Sequence, residues 1–187
     1  MLGSVTSKTN RKDLEMRQIV FVLSLLAALG VAQASESDFD SQVHVLALNI
    51  YHESRGENEL GKLMVGYVTV MRAAENRREW GGSTIEGVVR KGCQFSWTCD
   101  SDTQPPKPGR EWDRAVDIAT LVLLGLFEPP TPELARARYY MNPDTSGKKP
   151  RCWMAGSLQQ VAVVGNHYFY AEGEPWFVPP RFECKAQ

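Results

Sequence analysis

The chain of 187 residues is long enough for one domain with a substantial core, but not for two. Hydrophobic residues make up 43% of it and charged residues 23%, which is typical of globular proteins. The net charge of −1 lacks the basic excess of nucleic-acid-binding proteins, so nucleic acid is not an expected partner. An anionic polymer would have to be held by local groups rather than by a global field.

The first 34 residues have the pattern of a secretory signal peptide. Arg17 precedes an apolar run over Ile19–Leu29, which leads into Val31-Ala32-Gln33-Ala34, an Ala-x-Ala ending after which cleavage is expected. The run is shorter than the ~20 residues of a membrane span, and an uncleaved anchor is the alternative. Residues 1–15 are unusual before such a signal, so Met16 is a candidate for the true start. We predict a secreted or periplasmic protein that meets the membrane only through this segment, with its mature domain over residues 35–187.

Four cysteines follow the signal segment: Cys93, Cys99, Cys152 and Cys184. An even number in an exported chain favours disulfides, and four cysteines allow three pairings. We expect Cys93–Cys99, which closes a short loop, together with Cys152–Cys184. A zinc site is the alternative, but no Cys-x-x-Cys spacing is present.

Three helices are predicted from apolar residues at helical spacing. The first covers residues 41–54, and Gly56 suits the position just beyond its end. The second runs from about Glu59 to Arg77. The third runs from about Glu111 to Phe127. Its expected buried face comprises Trp112, Ala115, Val116, Ala119, Val122, Leu123 and Leu126.

The segments between and after these helices are predicted as turns, loops and a hairpin. Lys91–Asp100 suits a turn or short hairpin, and the Pro-rich stretch Asp102–Gly109 suits a loop. Residues 139–153 have no regular pattern. Val161–Tyr170 is rich in β-branched and aromatic residues around Gly165-Asn166, which favours a strand or hairpin. The pattern as a whole predicts a mainly helical α+β domain.

The most informative stretch is Tyr51–Glu57, in which Glu53 stands at the C-terminal end of an apolar-faced helix. The negative end of the helix dipole disfavours an ionised carboxylate there. Partial burial beside Tyr51 would raise the pKa of Glu53 further. A glycosidase needs such a protonated acid near neutral pH. A glutamate near a helix end is more often solvated surface, so this stretch alone is only a hypothesis.

Two peptidase alternatives start from the same residues. His52-Glu53 opens like the His-Glu-x-x-His zinc motif, but position 56 is Gly56, so the helix cannot present two imidazoles on one face. No metal or other cofactor is therefore expected. A thiol peptidase would pair Cys93 or Cys99 with His167, which an oxidising compartment disfavours.

Four segments of residues 45–170, in the same order, resemble the cell wall hydrolase family typified by the spore cortex-lytic enzyme SleB. This family also occurs in bacteriophages and Gram-negative bacteria. The first segment is Ala47–Glu57, followed by Gly61 and an apolar helix. The second is Gly92–Trp97, and the third is Trp112 with its helix. The fourth comprises Tyr139–Pro143 and Val164–Tyr170.

This resemblance implies a lysozyme-like, lytic-transglycosylase-like fold with one glutamate facing a groove between two lobes. It implies that Glu53 is the catalytic acid and that Gln94, Phe95 and Ser96 form a hairpin beside it. Aromatic rings suit stacking on sugars. The substrate-binding residues expected on this basis are Gln94, Phe95, Ser96, Trp97, Tyr139, Tyr140, Asn142 and His167, although core packing is an equal alternative for Tyr139 and a structural hydrogen bond the main alternative for His167.

The expected activity is cleavage of the β-1,4 bond between N-acetylmuramic acid and N-acetylglucosamine in peptidoglycan, by a monomer. Without a second carboxylate, Glu53 can act as acid and then as base, which gives a 1,6-anhydro product. With one, water attacks instead; Glu57, Asp100 and Asp102 are the candidates. A non-catalytic peptidoglycan-binding module and a cell wall peptidase or amidase are the alternatives.

Overall fold

A computed structural model describes residues 37–173, apart from positions 102, 105, 148–151, 153 and 155. The chain divides into two compact units, Met1–Ser41 and Gln42–Gln187. In the first unit, residues 37–41 are helical. The predicted signal peptide over residues 1–34 lies outside the described residues. Within the described part of the chain, no helix is both long enough and apolar enough to span a membrane.

Helices are the commonest regular element among the described residues. α1 covers residues 37–53. The later helices are α2 (Glu59–Glu75), α3 (Ile85–Val89), α4 (Arg110–Leu123) and α5 (Pro132–Ala135), with 3₁₀ turns at Arg78–Trp80 and Ser96–Thr98. The three long helices agree with the sequence prediction to within four residues, and the largest differences are at the start of α1 and the end of α4.

The long helices pack together at a glycine in the middle of α2. A methyl group on Gly66 would stand 3.1 Å from Ile50 of α1 and 3.5 Å from Val122 of α4. A glycine inside a helix costs about 1 kcal/mol relative to alanine. Here the missing side chain lets all three helices approach, which explains its position. Asn58 begins α2 by accepting a hydrogen bond from the Gly61 amide at 2.9 Å.

The sheet has three antiparallel strands in the order β1-β3-β2. They are β1 (Tyr139–Met141), β2 (Gln159–Val164) and β3 (His167–Ala171). The hairpin predicted around Gly165-Asn166 is confirmed, since Val164 pairs with His167 across that turn. The irregular structure predicted for residues 139–153 is wrong at its start, because β1 pairs with β3 and places Tyr140 opposite Phe169.

The third predicted helix ends earlier than its apolar pattern indicates. α4 stops at Leu123, and Gly125 then takes a φ of 69°. Leu126, predicted to be buried, is 68% exposed, and Ile118 is fully buried in the face that packs against the core. The Gly125 turn rotates the chain out of helical register, so the last apolar residues leave the buried stripe.

The segment after α3 is a loop closed by a disulfide. The predicted Cys93–Cys99 bond is present. The turn predicted for this segment is confirmed, but the hairpin given as its alternative and implied by the resemblance is not formed, because the chain between the cysteines makes a 3₁₀ turn at Ser96–Thr98 instead of paired strands. Cys152 is also disulfide-bonded. Cys184, its predicted partner, lies outside the described residues.

Removing the short disulfide should destabilise the domain. The double substitution Cys93→Ala/Cys99→Ala frees a small loop in the unfolded chain, which we expect to lower the free energy of unfolding by about 2 kcal/mol. Guanidinium unfolding measures this change. Ser96→Ala, an exposed substitution in the same loop, is the control and should leave the free energy of unfolding unchanged. Equal stability of the double variant and the parent would contradict the expected constraint.

Candidate active site around Glu53

Glu53 is the last residue of α1 and lies on the buried face of that helix. Leu46, Asn49 and Ile50 share this face and are at most 1% exposed. Burial raises the pKa of Glu53 to about 7, against the opposing effects of the Tyr140 hydroxyl and the Arg72 cation. The predicted rise in pKa is confirmed. The side chain that contacts Glu53 is Tyr140, however, whereas Tyr51 packs against His52 and Trp112.

Tyr140 reaches Glu53 from the sheet. Its hydroxyl lies 3.5 Å from Glu53 Oε2, at the outer limit of a hydrogen bond. The ring packs edge-on against His167, with centres 5.2 Å apart, and beside Phe95 at 6.4 Å. Burial raises the pKa of Tyr140, so its hydroxyl keeps the proton that it can donate. Strand β1 thus supplies a fixed donor to the carboxyl group.

A buried polar network lies one turn before Glu53 on α1. Asn49 donates from Nδ2 to Thr69 Oγ1 at 3.1 Å and accepts from Trp97 Nε1 at 3.0 Å. The Trp97 ring stacks on His52, with centres 4.7 Å apart and planes inclined by 22°. Asn49 therefore fixes the half-buried Trp97 near the acid and links the disulfide loop to α1 and α2.

Arg72 and Gln94 form a second polar link beside the acid. Arg72 is only 7% exposed, and its Nη1 donates to Gln94 Oε1 at 3.0 Å. Gln94 Nε2 donates in turn to the Glu79 carbonyl at 3.1 Å. Both polar ends of the Gln94 side chain are therefore engaged within the protein, which favours a supporting role for this predicted sugar ligand.

Glu57, the other glutamate of the motif, is bound to the β2–β3 turn. Its Oε2 accepts a hydrogen bond from the backbone N–H of Asn166 at 3.0 Å, and its Oε1 lies 3.5 Å from His167 Nδ1. Burial lowers the pKa of His167, although the charge of Glu57 opposes the shift. The close approach depends on Gly165, because a methyl group there would come within 2.1 Å of Glu57 Oε2. The Glu57 side chain thus binds the β2–β3 hairpin.

The other predicted sugar-binding residues differ in their exposure. Phe95, at 3% exposed, and His167, at 4%, offer no surface for stacking on a sugar and pack around Tyr140 instead. Ser96 is exposed. Tyr139 is half-buried against Trp80 and Arg72, with its hydroxyl 3.4 Å from Glu172. Asn142 Oδ1 accepts a hydrogen bond from the Asp144 amide, in the turn after β1.

Three polar residues of the site were missed in the sequence: Asn49, Thr69 and Arg72. All three lie on helix faces that are otherwise apolar, at positions predicted only as helix. Thr69 and Arg72 follow Val65 at steps of four and seven residues, which places them on its face. A polar residue that completes an apolar stripe is therefore the signal that could have identified them.

Neither peptidase alternative gains support from these positions. Cys93 and Cys99 are bonded to each other, so neither is available as a thiolate next to His167. Among the described residues, no group of three or more His, Cys, Asp or Glu side chains is arranged to hold a metal ion. A surface cavity of about 460 Å³ is lined by residues between Asn76 and Gly92, and Glu53 is not among its lining residues. The predicted groove between two lobes stays a prediction.

Comparison with known proteins places the chain in a family. The model of the Cell Wall Hydrolase family matches residues 56–170, and the chain belongs to this family. It is thus an enzyme that degrades cell wall peptidoglycan. The match begins three residues after Glu53 and so does not include that residue.

Two solved structures share this fold. The catalytic domain of the germination-specific lytic transglycosylase SleB from Bacillus anthracis is 27% identical with a TM-score of 0.54, over 69% of this chain and 93% of that one. The catalytic domain of the Bacillus cereus SleB protein is 26% identical with a TM-score of 0.52, over 70% and 90% of the two chains. A comparison with curated proteins returned no match.

The contact between Glu57 and the hairpin can be tested with two glycines in similar conformations. Gly125→Ala introduces a methyl group at φ 69° with no atom within 4 Å, and should cost about 1–2 kcal/mol from the left-handed conformation alone. Gly165→Ala, at φ 58°, also displaces Glu57 and should cost about 1–3 kcal/mol more, because the Asn166 hydrogen bond is lost. Guanidinium unfolding measures both. Equal costs would show that Glu57 is not held against the turn.

The raised pKa of Glu53 should appear in the pH dependence of stability. The folded state holds the proton up to about pH 7, whereas an exposed glutamate loses it near 4.5, so this group stabilises the fold at low pH. The stabilisation is lost as pH rises through 7, and amounts to about 2–3 kcal/mol between pH 5 and pH 8. Glu53→Gln has no proton to lose and should therefore gain stability relative to the parent over this range. Parallel pH profiles of the two proteins in guanidinium unfolding would rule out a raised pKa.

Proposed function

We propose that this enzyme cleaves the glycan strand of peptidoglycan at the β-1,4 bond between N-acetylmuramic acid and N-acetylglucosamine, with Glu53 as the proton donor. The observation that carries the proposal is the buried carboxyl group of Glu53, whose pKa is raised to about 7. About half of such groups hold a proton at neutral pH, which suits a general acid. Tyr140 and Arg72 lower the pKa of Glu53 against the effect of burial, so the ionised carboxylate is populated as well.

The reaction is an intramolecular transglycosylation. Protonated Glu53 gives its proton to the glycosidic oxygen as the bond from that oxygen to C1 of the muramic acid breaks. The ring becomes oxocarbenium-like. The Glu53 carboxylate then takes the proton of the C6 hydroxyl of the same sugar, and O6 bonds to C1. The products are a 1,6-anhydromuramic acid end and a free N-acetylglucosamine end, and Glu53 is protonated again.

Hydrolysis would require a second carboxylate to activate water, and the predicted candidates are poor ones. Glu57 is buried at 8% exposed and bound to the Asn166 amide. Asp100 is exposed. Asp102 lies outside the described residues. The similar protein from Bacillus anthracis is described as a lytic transglycosylase, which supports the same choice of chemistry here.

The sugar chain would contact the more exposed of the predicted residues. Trp97 offers a half-buried ring fixed by Asn49, and Ser96 lies exposed beside it. Tyr139 and Asn142 are half-buried and are further candidates. Gln94, Phe95, Tyr140 and His167 would instead support these residues and Glu53 from behind. We further propose that the enzyme is exported by the signal peptide over residues 1–34 and acts as a monomer.

A pair of glutamate substitutions tests the assignment of the acid. Glu53→Gln should lower the release of muropeptides from purified sacculi by at least about a hundredfold, because the amide has no acidic proton to give. Glu57→Gln is the matched control. It keeps an oxygen that can accept the Asn166 hydrogen bond, so activity should persist at a lower melting temperature.

Mass analysis of the released fragments identifies the chemistry in the same experiment. The parent enzyme should produce 1,6-anhydro ends. Reducing muramic acid ends would indicate hydrolysis, and cut peptide stems would indicate a peptidase or amidase. Full activity of Glu53→Gln, or an equal loss in both variants, would exclude Glu53 as the unique acid.

A further inference from the structure

Arg72 is a buried cation surrounded by aromatic rings. It lies in the last turn of α2 and is 7% exposed. Its guanidinium carbon is 5.6 Å from the ring centre of Trp80, 5.9 Å from that of Phe95 and 5.2 Å from that of Tyr139. Each distance is in the range of a cation–π interaction. A full charge is retained here at a considerable desolvation cost, which suggests a specific task.

The guanidinium joins two segments that are far apart in the sequence. Its Nε donates to the Arg138 carbonyl at 2.7 Å, and its Nη1 donates to Gln94 Oε1 at 3.0 Å. A planar guanidinium can make both bonds at once in fixed directions, whereas a lysine ammonium lacks this geometry. The bond from Gln94 to the Glu79 carbonyl anchors the second segment further.

One of these segments supplies a residue that contacts Glu53, and the other supplies a residue that contacts Asn49 and His52 on the same helix. Arg138 comes directly before β1, in which Tyr140 reaches Glu53 Oε2. Gln94 comes three residues before Trp97. Trp97 donates a hydrogen bond to Asn49, which lies one helical turn before Glu53 on α1. The charged and titratable groups that act on Glu53 are Tyr140 from β1 and Arg72 itself from α2. One side chain is therefore bonded to both segments and also acts on Glu53 through its charge.

We propose that Arg72 is a positioning residue that holds Tyr140 and Trp97 in place around Glu53, and that its charge stabilises the Glu53 carboxylate between donation and recovery of the proton. The second claim, that the charge of Arg72 stabilises the Glu53 carboxylate, rests on the proposed function, since only an acid that must later act as a base needs such stabilisation. The first claim, that Arg72 holds Tyr140 and Trp97 in place, concerns the structure of the site and can be tested without substrate.

Three substitutions separate geometry from charge. Arg72→Met removes the charge and the hydrogen bonds but keeps much of the side-chain length. Arg72→Lys keeps the charge without the planar pair of donors. Gln94→Ala keeps the charge and removes the link to the disulfide loop. Arg77→Met is the matched control, because Arg77 also lies over the Trp80 ring, at 4.3 Å, and pairs with Glu75 and Glu172, but it is not among the groups that shift the pKa of Glu53.

Two measurements are made on each variant. The titration of the Glu53 carboxyl group is followed by carbon NMR in the absence of substrate, and release of anhydromuropeptides from sacculi is followed against pH. Arg72→Met should raise the pKa of Glu53, move the alkaline limb of the activity profile upward and lower the maximal rate by about tenfold to a hundredfold. Arg72→Lys and Gln94→Ala should lower the rate with little change in the titration of Glu53. Arg77→Met should change neither.

The outcomes that overturn the inference are distinct. An unchanged titration of Glu53 in Arg72→Met removes the electrostatic role, and an unchanged rate removes the positioning role. If Arg72→Met does not fold, full activity of both Arg72→Lys and Gln94→Ala would still contradict positioning. A parent enzyme that titrates as expected but releases no anhydro ends would defeat the proposed function and leave the effect of Arg72 on Glu53 measurable by NMR.

Discussion

The site depends on a balance at one carboxyl group. Desolvation at the end of α1 favours the neutral form of Glu53, while the Tyr140 hydroxyl and the Arg72 cation favour the charged form. Burial alone would keep the proton in place, and exposure alone would release it well below neutral pH. A group that gives up a proton and takes it back in one reaction works best when both states are similar in free energy at the working pH. The surrounding structure supplies the opposing contributions from two other elements, α2 and β1.

This balance requires polar side chains inside a small core, and Asn49 and Arg72 are hydrogen-bonded there. Asn49 donates to Thr69 and accepts from Trp97, so its amide has partners on two further segments. Arg72 has two hydrogen-bond acceptors and three aromatic neighbours. Buried polar groups destabilise a fold when left unpaired but fix a unique geometry when all are satisfied. The residues that surround Glu53 therefore also link the disulfide loop and the sheet to the helices.

Much of this arrangement could be predicted from the sequence, and the failures have physical causes. The helices follow from apolar periodicity, and the β2–β3 hairpin follows from β-branched residues around Gly165-Asn166. Strand β1 could not be predicted, because three residues carry too little pattern and their conformation is set by pairing with β3. The resemblance implied that Phe95 contacts the sugar, but an aromatic residue can serve either in a core or on a sugar. Its ring is buried because Arg72 and Tyr140 lie against it.

The two glutamates of the motif show why a spacing cannot name the acid. Glu53 and Glu57 are four residues apart and chemically identical, and on a continuous helix they would share a face. The helix ends between them, and Gly56 at a φ of 79° turns the chain so that Glu57 leaves that face. Glu57 then accepts a hydrogen bond from the Asn166 backbone N–H, beside a glycine with no side chain to obstruct it. Glu53 remains on the apolar side, where charge is disfavoured. The surroundings of the two glutamates thus differ because of a backbone turn and because Gly165 has no side chain, and neither feature can be recognised from the glutamates themselves.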